Sequence, residues 1–259
     1  MNASIMNLSI LQLSMAYVFI FIILLIFKSR GIRRERQILL AALRMTLQLT
    51  AMGYVLMFVF DNPSWWLTSI MLLIMVSFAV YNAIKRVKGD MSKELQRMMG
   101  VAMIGGAVLP TVFFIVIVLQ VRPWFEPQYM IPISGMIVGN CMTGIALGAN
   151  KLCDAMAEKR VMIENSLMLG ASPAQAARDI INDSFDSAIL PTMNNMLTMG
   201  IVSLPGMMTG QILSGVFPLT AIKYQIGIML AILGATALTT ILFVMLGYKT
   251  FFTADHRLR

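Results

Sequence analysis

Apolar residues fall into long runs of about 20, and polar residues gather between them, which is the pattern of helices that cross a bilayer. The runs cover roughly 8–27, 38–60, 65–84, 99–119, 130–150, 189–213 and 221–247, about seven spans with ends good to about ±4 residues. A transmembrane barrel would instead show alternating segments of about 10 residues. The expected fold is therefore all-α, a polytopic transmembrane bundle formed by one domain over 1–259. Residues 61–64, Asp-Asn-Pro-Ser, predict a tight turn that makes spans two and three an antiparallel hairpin. The longest connection, 151–188, is too short for a soluble core of its own.

Positive charge orients the bundle. Lys28, Arg30, Arg33, Arg34 and Arg36 follow the first span, and Lys85, Arg86, Lys88, Lys93 and Arg97 follow the third. Lys151, Lys159, Arg160 and Arg178 follow the fifth, and Lys249, Arg257 and Arg259 follow the last. The other connections hold little beyond Arg122. Basic residues mark the cytoplasmic side, so the N-terminus is expected outside and the C-terminus inside. Trp65, Trp66 and Trp124 fall at outer ends, where amphipathic rings anchor at the interface. The N-terminus has no basic region before its apolar run, so the first span is expected to be retained rather than cleaved.

Composition narrows the function. The chain is 58% hydrophobic and 12% charged, with a formal net charge of +8. That charge sits at span ends rather than on a basic, aromatic-interleaved soluble face, so nucleic acid is not an expected partner. Cys141 and Cys153 make no metal spacing and no disulfide framework, and the single histidine is His256 in the tail. No Asp or Glu lies within an expected span, which removes the usual acid pairs of intramembrane proteolysis and the usual relays of proton-coupled transport. No phosphate-binding G-x-x-x-x-G-K-[ST] loop occurs, so the chain is not expected to be an enzyme or to hydrolyse ATP itself. Energy for transport would enter from another chain.

The entry point is expected in 164–188. Bacterial ATP-binding-cassette permeases carry a cytoplasmic loop of pattern E-A-A-x3-G-x9-I-x-L-P, and Glu164, Gly170 and Ile180 fall at its spacing. Asn165 and Ser166 replace its alanines, and Asn182-Asp183 stand in place of its Leu-Pro. Gly170 and Ala171 interrupt the helix, and Ser172 as N-cap with Pro173 just inside restarts it through Gln175 and Ala176. Two readings stand: a helix that docks on a soluble ATPase, or a surface helix lying on headgroups.

Three groups within the spans have pathway chemistry. In S-L-P-G-M-M-T-G, 203–210, Pro205 breaks the helix and Gly206 and Gly210 allow close approach. Broken helices at membrane depth commonly line cavities. Met207 and Met208 place soft sulfur beside that break, suited to ions such as Cu(I) or simply to filling space. Gly135/Gly139 and Gly144/Gly148 are small-xxx-small pairs that suit helix packing and favour dimerisation, with Asn140 between them as a helix–helix hydrogen bonder or a pathway group. Arg44 and Gln48 share one face of the second span, with Arg44 about 9 Å inside its inner end and able to snorkel. Asn194 opens the sixth span. No metal ligand set is assigned.

Taken together, Arg44, Gln48 and Leu49 with G-Y-V-L at 53–56, I-P-I-S-G-M-I-V-G-N at 131–140, L-G-A-S-P-A-Q-A at 169–176, G-I-V-S-L-P-G-M-M-T-G at 200–210 and A-I-K-Y-Q-I at 221–226 resemble the FetB-type permeases. These are membrane subunits of a small ATP-binding-cassette system implicated in iron export. The resemblance implies a bacterial cytoplasmic-membrane protein in which two copies pair with two copies of a separate ATPase. It places ATP and Mg on that partner, with no cofactor in this chain, and makes iron or an iron chelate the cargo. Plant proteins of the same kind are tied to aluminium tolerance and, in one case, to a nucleotide sugar. An Fe²⁺ path would ordinarily want carboxylate or imidazole ligands, which the expected spans lack. Alternatives are therefore kept: another cargo such as a nucleotide sugar, with Arg44 and Lys223 as counter-charges, or a membrane regulator without a transport cycle.

Overall fold

The computed structural model describes residues 9–87, 91–253 and 257–258. His256, Lys88 and Arg259, together with residue 8 at the expected start of the first span, lie outside the described residues. Contacts divide the chain into two compact units, Met1–Asn62 with Leu213–Gly215 and Pro63–Ile212 with Val216–Arg259.

The first unit is built from α1 (Ile10–Ala16), α2 (Val18–Arg30) and α3 (Glu35–Asp61). Ser9 opens α1 with a capping box, its hydroxyl accepting from the Gln12 N–H while its own N–H donates to Gln12 Oε1. Tyr17 stays in the right-handed helical region, so α1 and α2 run on as one segment long enough to span. Gly31, at φ +68°, ends it in the left-handed conformation that glycine adopts without strain. Lys28 and Arg30 lie in the last turn, where they complement the exposed carbonyls. The Tyr17 hydroxyl hydrogen-bonds Thr46 Oγ1 on α3.

In the second unit, α4 (Trp65–Arg86) presents Thr68, Val76, Ala79 and Ala83 to the core and ends on Lys85 and Arg86. The next span is not uniform. It begins as α5 (Lys93–Met103), capped by Ser92, passes through a π-helical turn at Ile104–Val108, continues as α6 (Leu109–Phe113), and ends in a second π turn at Phe114–Val118. Pro110 cannot donate to the ladder, and the π turn before it absorbs the register change. α7 (Pro127–Glu158) is the central helix, with Ile133, Ile137, Cys141, Gly144, Ile145, Gly148, Ala149 and Leu152 on its buried face. At 1.5 Å per residue its 32 residues extend about 48 Å, well beyond a hydrocarbon core of about 30 Å. α12 (Pro218–Gly247) starts with proline at its first position and buries Ile228, Ile232, Thr236, Thr239, Thr240 and Phe243.

Among the described residues, six segments are long and apolar enough to cross a membrane: Ile10–Arg30, Glu35–Asp61, Trp65–Arg86, Lys93–Val118, Pro127–Glu158 and Pro218–Phe251. The fold is the expected all-α polytopic bundle. The expected sixth span, 189–213, does not form as one apolar helix. In its place α10 (Arg178–Thr198) begins well inside the expected connection, non-helical chain follows from Met199 to Pro205, and α11 (Gly206–Leu213) adds two turns. The polar first half of α10 keeps it below the hydropathy of the other spans. The connection 151–188 is correspondingly helical, containing the end of α7, α8 (Arg160–Met168), α9 (Pro173–Ala176) and the start of α10. Asp179, Asp183 and Asp186 therefore belong to the same continuous helix as residues 189–198.

α7, α10 and α12 pack closely on one another. A Cβ on Gly144 would stand 2.5 Å from Thr236 Cγ2 and 3.2 Å from the Ala188 carbonyl oxygen. One on Gly148 would stand 3.2 Å from the Ser184 carbonyl oxygen and 3.4 Å from Thr240 Cγ2. Residue numbers rise together along α7 and α12 and fall along α10, so α7 and α12 run parallel and α10 antiparallel to both.

Candidate functional site

Two places carry the chemistry singled out in the sequence: the elbow between α7 and α10, and the break between α10 and α11.

At the elbow, α8 ends in a Schellman motif. The Gly170 N–H donates to the Leu167 carbonyl and the Ala171 N–H to the Ser166 carbonyl, with Gly170 at φ +90°. A capping box follows at once. The Ser172 N–H donates to Gln175 Oε1 at 2.8 Å, and Ser172 Oγ accepts from the Gln175 N–H at 3.4 Å. The helix restarting at Pro173 is a single turn to Ala176, which is buried, and then gives way to α10. The short helix expected after Ser172 is a single turn, and a second short helix lies before the break, as α8. Glu164 sits on α8 and pairs with Arg160 at 2.9 Å. Lys159, at the end of α7, reaches Asp183 on α10 at 3.5 Å and ties the two sides of the elbow. Met168 and Leu169 project at its tip, 82% and 89% exposed. A cavity of about 620 Å³ lies between Glu164, Met168, Gly170 and the tail residues Arg257 and Leu258.

At the break, the chain leaves α10 at Met199 and re-enters helix at Gly206. The Gly200 N–H, on a residue at φ +87°, donates to the Ser203 carbonyl at 2.9 Å and closes a small loop. Pro205 stands at the end of this loop, so the interruption is wider than the proline alone. Gly206 and Gly210 are exposed, Met207 is half-buried and Met208 is buried. A cavity of about 520 Å³ opens beside them, lined by Met196, Met199, Gly200 and Met208 from the break and by Gln225 and Met229 from α12, among others. Gln225 is 5% exposed, and its Oε1 has no hydrogen-bond partner. Of the break residues named from the sequence, Met208 is the one that lines this cavity. Met196, Met199, Gln225 and Met229 were not named as site residues, and their shared wall forms only when α12 packs on the end of α10.

The remaining candidates separate. Arg44 and Gln48 lie on α3 in the first unit, both exposed. Asn194 is exposed on α10. Asn140 does not bridge helices: its Nδ2 donates to the Met136 carbonyl of its own helix at 2.8 Å. Gly135 faces Met75 of α4, Gly144 and Gly148 face α10 and α12, and Gly139 meets nothing within 4 Å. Three of these four glycines are thus engaged inside the chain and do not offer a free dimer face. Among the described residues no group of three His, Cys, Asp or Glu lies close enough to hold a metal ion.

Residues 10–252 match the family described as "Uncharacterised protein family (UPF0014)". The chain belongs to that family. It is similar to "Probable iron export permease protein FetB" of Escherichia coli (strain K12), 34% identical over 95% of this chain and 93% of the relative. It is 33% identical to "UPF0014 membrane protein YjkA" of Bacillus subtilis (strain 168), covering 96% of this chain and 98% of that one. A plant relative, "Protein ALUMINUM SENSITIVE 3" of Arabidopsis thaliana, is 32% identical over 94% of this chain and 88% of its own length. No solved structure matches the chain. This UPF0014 protein is a multi-pass membrane permease, and the bacterial relatives agree with a place in a bacterial cytoplasmic membrane.

Proposed function

We propose that this UPF0014 permease is the membrane half of an ATP-driven exporter, that its energy comes from a separate ATP-binding-cassette ATPase, and that its cargo is iron or an iron chelate. In this reading two permeases and two ATPases make the working unit, ATP and Mg are held by the ATPase, and the N-terminus lies outside with the C-terminus inside. The observation that carries it is the elbow. Two bulky apolar side chains, Met168 and Leu169, are held out at the tip of a short helix by a left-handed glycine and a capping box. The flanking helices, α7 and α10, pack on each other along the core, so a push on the tip is delivered to the helix that leads to the break. Iron is the cargo named for the Escherichia coli relative, and it comes to this chain by that likeness.

The test is reconstitution of the chain with its ATPase in liposomes, measuring ATP hydrolysis and vesicle iron content. Met168→Ser with Leu169→Ser should leave membrane insertion intact and remove stimulation of hydrolysis by iron. Gly170→Asp should do the same by straining the turn. Normal iron transport by both variants would refute docking at the elbow. Stimulation by a nucleotide sugar, or by nothing, would discard iron and leave the fold untouched.

A further inference from the structure

We infer that the cavity at the helix break is a binding site for a soft monovalent metal cation of the Cu(I) or Ag(I) type. Four of its ten lining residues are methionine, against 25 in the 259-residue chain. That concentration is several times the background and arises from two separate stretches, Met196, Met199 and Met208 around the break and Met229 on α12. Thioethers are soft, neutral ligands that select Cu(I) over hard oxygen-loving ions. The polar member of the wall points the same way. Gln225 is 5% exposed, and its Oε1 accepts nothing. An unpaired amide carbonyl at that depth is costly, and a cation in the cavity gives it a partner. No charged side chain lines the space, which suits a singly charged ion: a divalent ion would be left without the anionic ligands that offset its desolvation.

The packing of the second unit fixes the position. Gly144 against Thr236 and Gly148 against Thr240 set α12 parallel to α7, and Gln225 precedes Thr236 by eleven residues on the side of the α12 start. Gln225 is seven residues, about 10 Å, into α12. The site lies where the interrupted chain of 199–205 meets a continuous helix. This inference goes beyond iron export and does not depend on an ATPase, so it stands or falls on the permease alone.

The experiment uses the full chain purified in detergent, with Cys141→Ala and Cys153→Ser to remove thiols, titrated with Ag(I). Bound silver is measured by mass spectrometry after gel filtration. One tightly held silver ion per chain is expected. Met199→Leu and Met208→Leu conserve volume and should each weaken binding at least about tenfold, as losses in a metal site's shell do. Met57→Leu on α3, exposed and far along the sequence, should change nothing. Fe²⁺ in excess should not displace silver. Absence of stoichiometric silver, or affinity indifferent to both cavity variants, overturns the inference. Should the variants fail to fold, X-ray absorption of the silver-loaded parent decides it: a sulfur shell supports the site and a shell of nitrogen and oxygen alone refutes it.

Discussion

Gly106 sits in the first π turn of the fourth span, where α12 crosses it at backbone contact. A Cβ at this position would lie 2.4 Å from Thr239 Cα and 2.6 Å from Thr239 N. Ordinary carbon contacts lie at about 3.5–4.0 Å, so Gly106→Ala must part the two segments locally by about 1–1.5 Å. Overpacking of this kind costs about 1–3 kcal/mol, and the backbone nature of the obstacle puts this case at the upper end. Replacing glycine by alanine in helix returns up to about 1 kcal/mol. The net expectation is a loss of about 2 kcal/mol. Gly144→Ala meets a different obstacle, Thr236 Cγ2 at 2.5 Å, which is a side-chain methyl. Thr236→Ser removes that methyl and should restore most of the loss, a coupling of about 1–2 kcal/mol. Thr239→Ala should not rescue Gly106→Ala, because Cα and N remain. Gly139→Ala, with nothing within 4 Å, should be neutral or slightly stabilising. The assay is equilibrium unfolding in mixed micelles, with the thermal midpoint alongside. A Gly106→Ala protein within about 0.5 kcal/mol of the parent, or one rescued by Thr239→Ala, would refute the close crossing.

Other consequences follow from single contacts. Thr68 is 1% exposed and its hydroxyl donates to the Phe125 carbonyl at 2.9 Å; Thr68→Val keeps the shape, removes that donor and should cost about 1–3 kcal/mol in the same unfolding assay. Ser172→Ala removes the cap at the elbow and should cost about 1 kcal/mol locally. Hydrogen exchange should then rise at residues 172–176 while the thermal midpoint of the bundle stays put. Gly170→Ala should act at the same place through backbone strain of about 1–2 kcal/mol, and unchanged exchange there would contradict the left-handed turn.

Much of the architecture is legible because six spans obey a simple rule: apolar length with basic ends. α10 escapes that rule. Its buried residues are Ile180, Ser184, Ala188, Ile189 and Thr192, two isoleucines among small and polar residues. Ser184 and Ala188 come close to α7 because Gly144 and Gly148 let α10 approach, and that fact belongs to another part of the chain. A hydropathy reading therefore places residues 178–188 in a connection. The elbow is different: Gly170, Ser172 and Pro173 announce a stop and a start through local backbone preferences, and both are found where they were expected. The length of the helix that follows depends on α10 and was not readable from the cap. At the break, Pro205 and the Met207-Met208 pair mark the region, yet only Met208 faces the cavity. Gln225 lies in A-I-K-Y-Q-I at 221–226, and nothing local to it says that its carbonyl is buried without a partner.

The distribution of ligand types gives the cargo question a physical form. Among the described residues the carboxylates, which are hard donors, lie at helix ends and in the elbow, and three of them, Asp179, Asp183 and Asp186, occupy the first half of α10. Asp183 is paired with Lys159. Four thioethers, Met196, Met199, Met208 and Met229, line the cavity near the other end of the same helix. Fe²⁺ prefers nitrogen and oxygen ligands and would gain little from neutral thioethers, so iron passing this way would travel hydrated or chelated, meeting carbonyls and amides. A soft monovalent ion would be held directly. The two cases separate on one substitution pair. Met199→Leu with Met208→Leu should abolish silver binding and leave iron-stimulated hydrolysis by the reconstituted pair within about twofold, because cavity volume is conserved. Loss of both activities together would mean that iron itself depends on the thioethers, and the division between hard and soft paths would have to be given up.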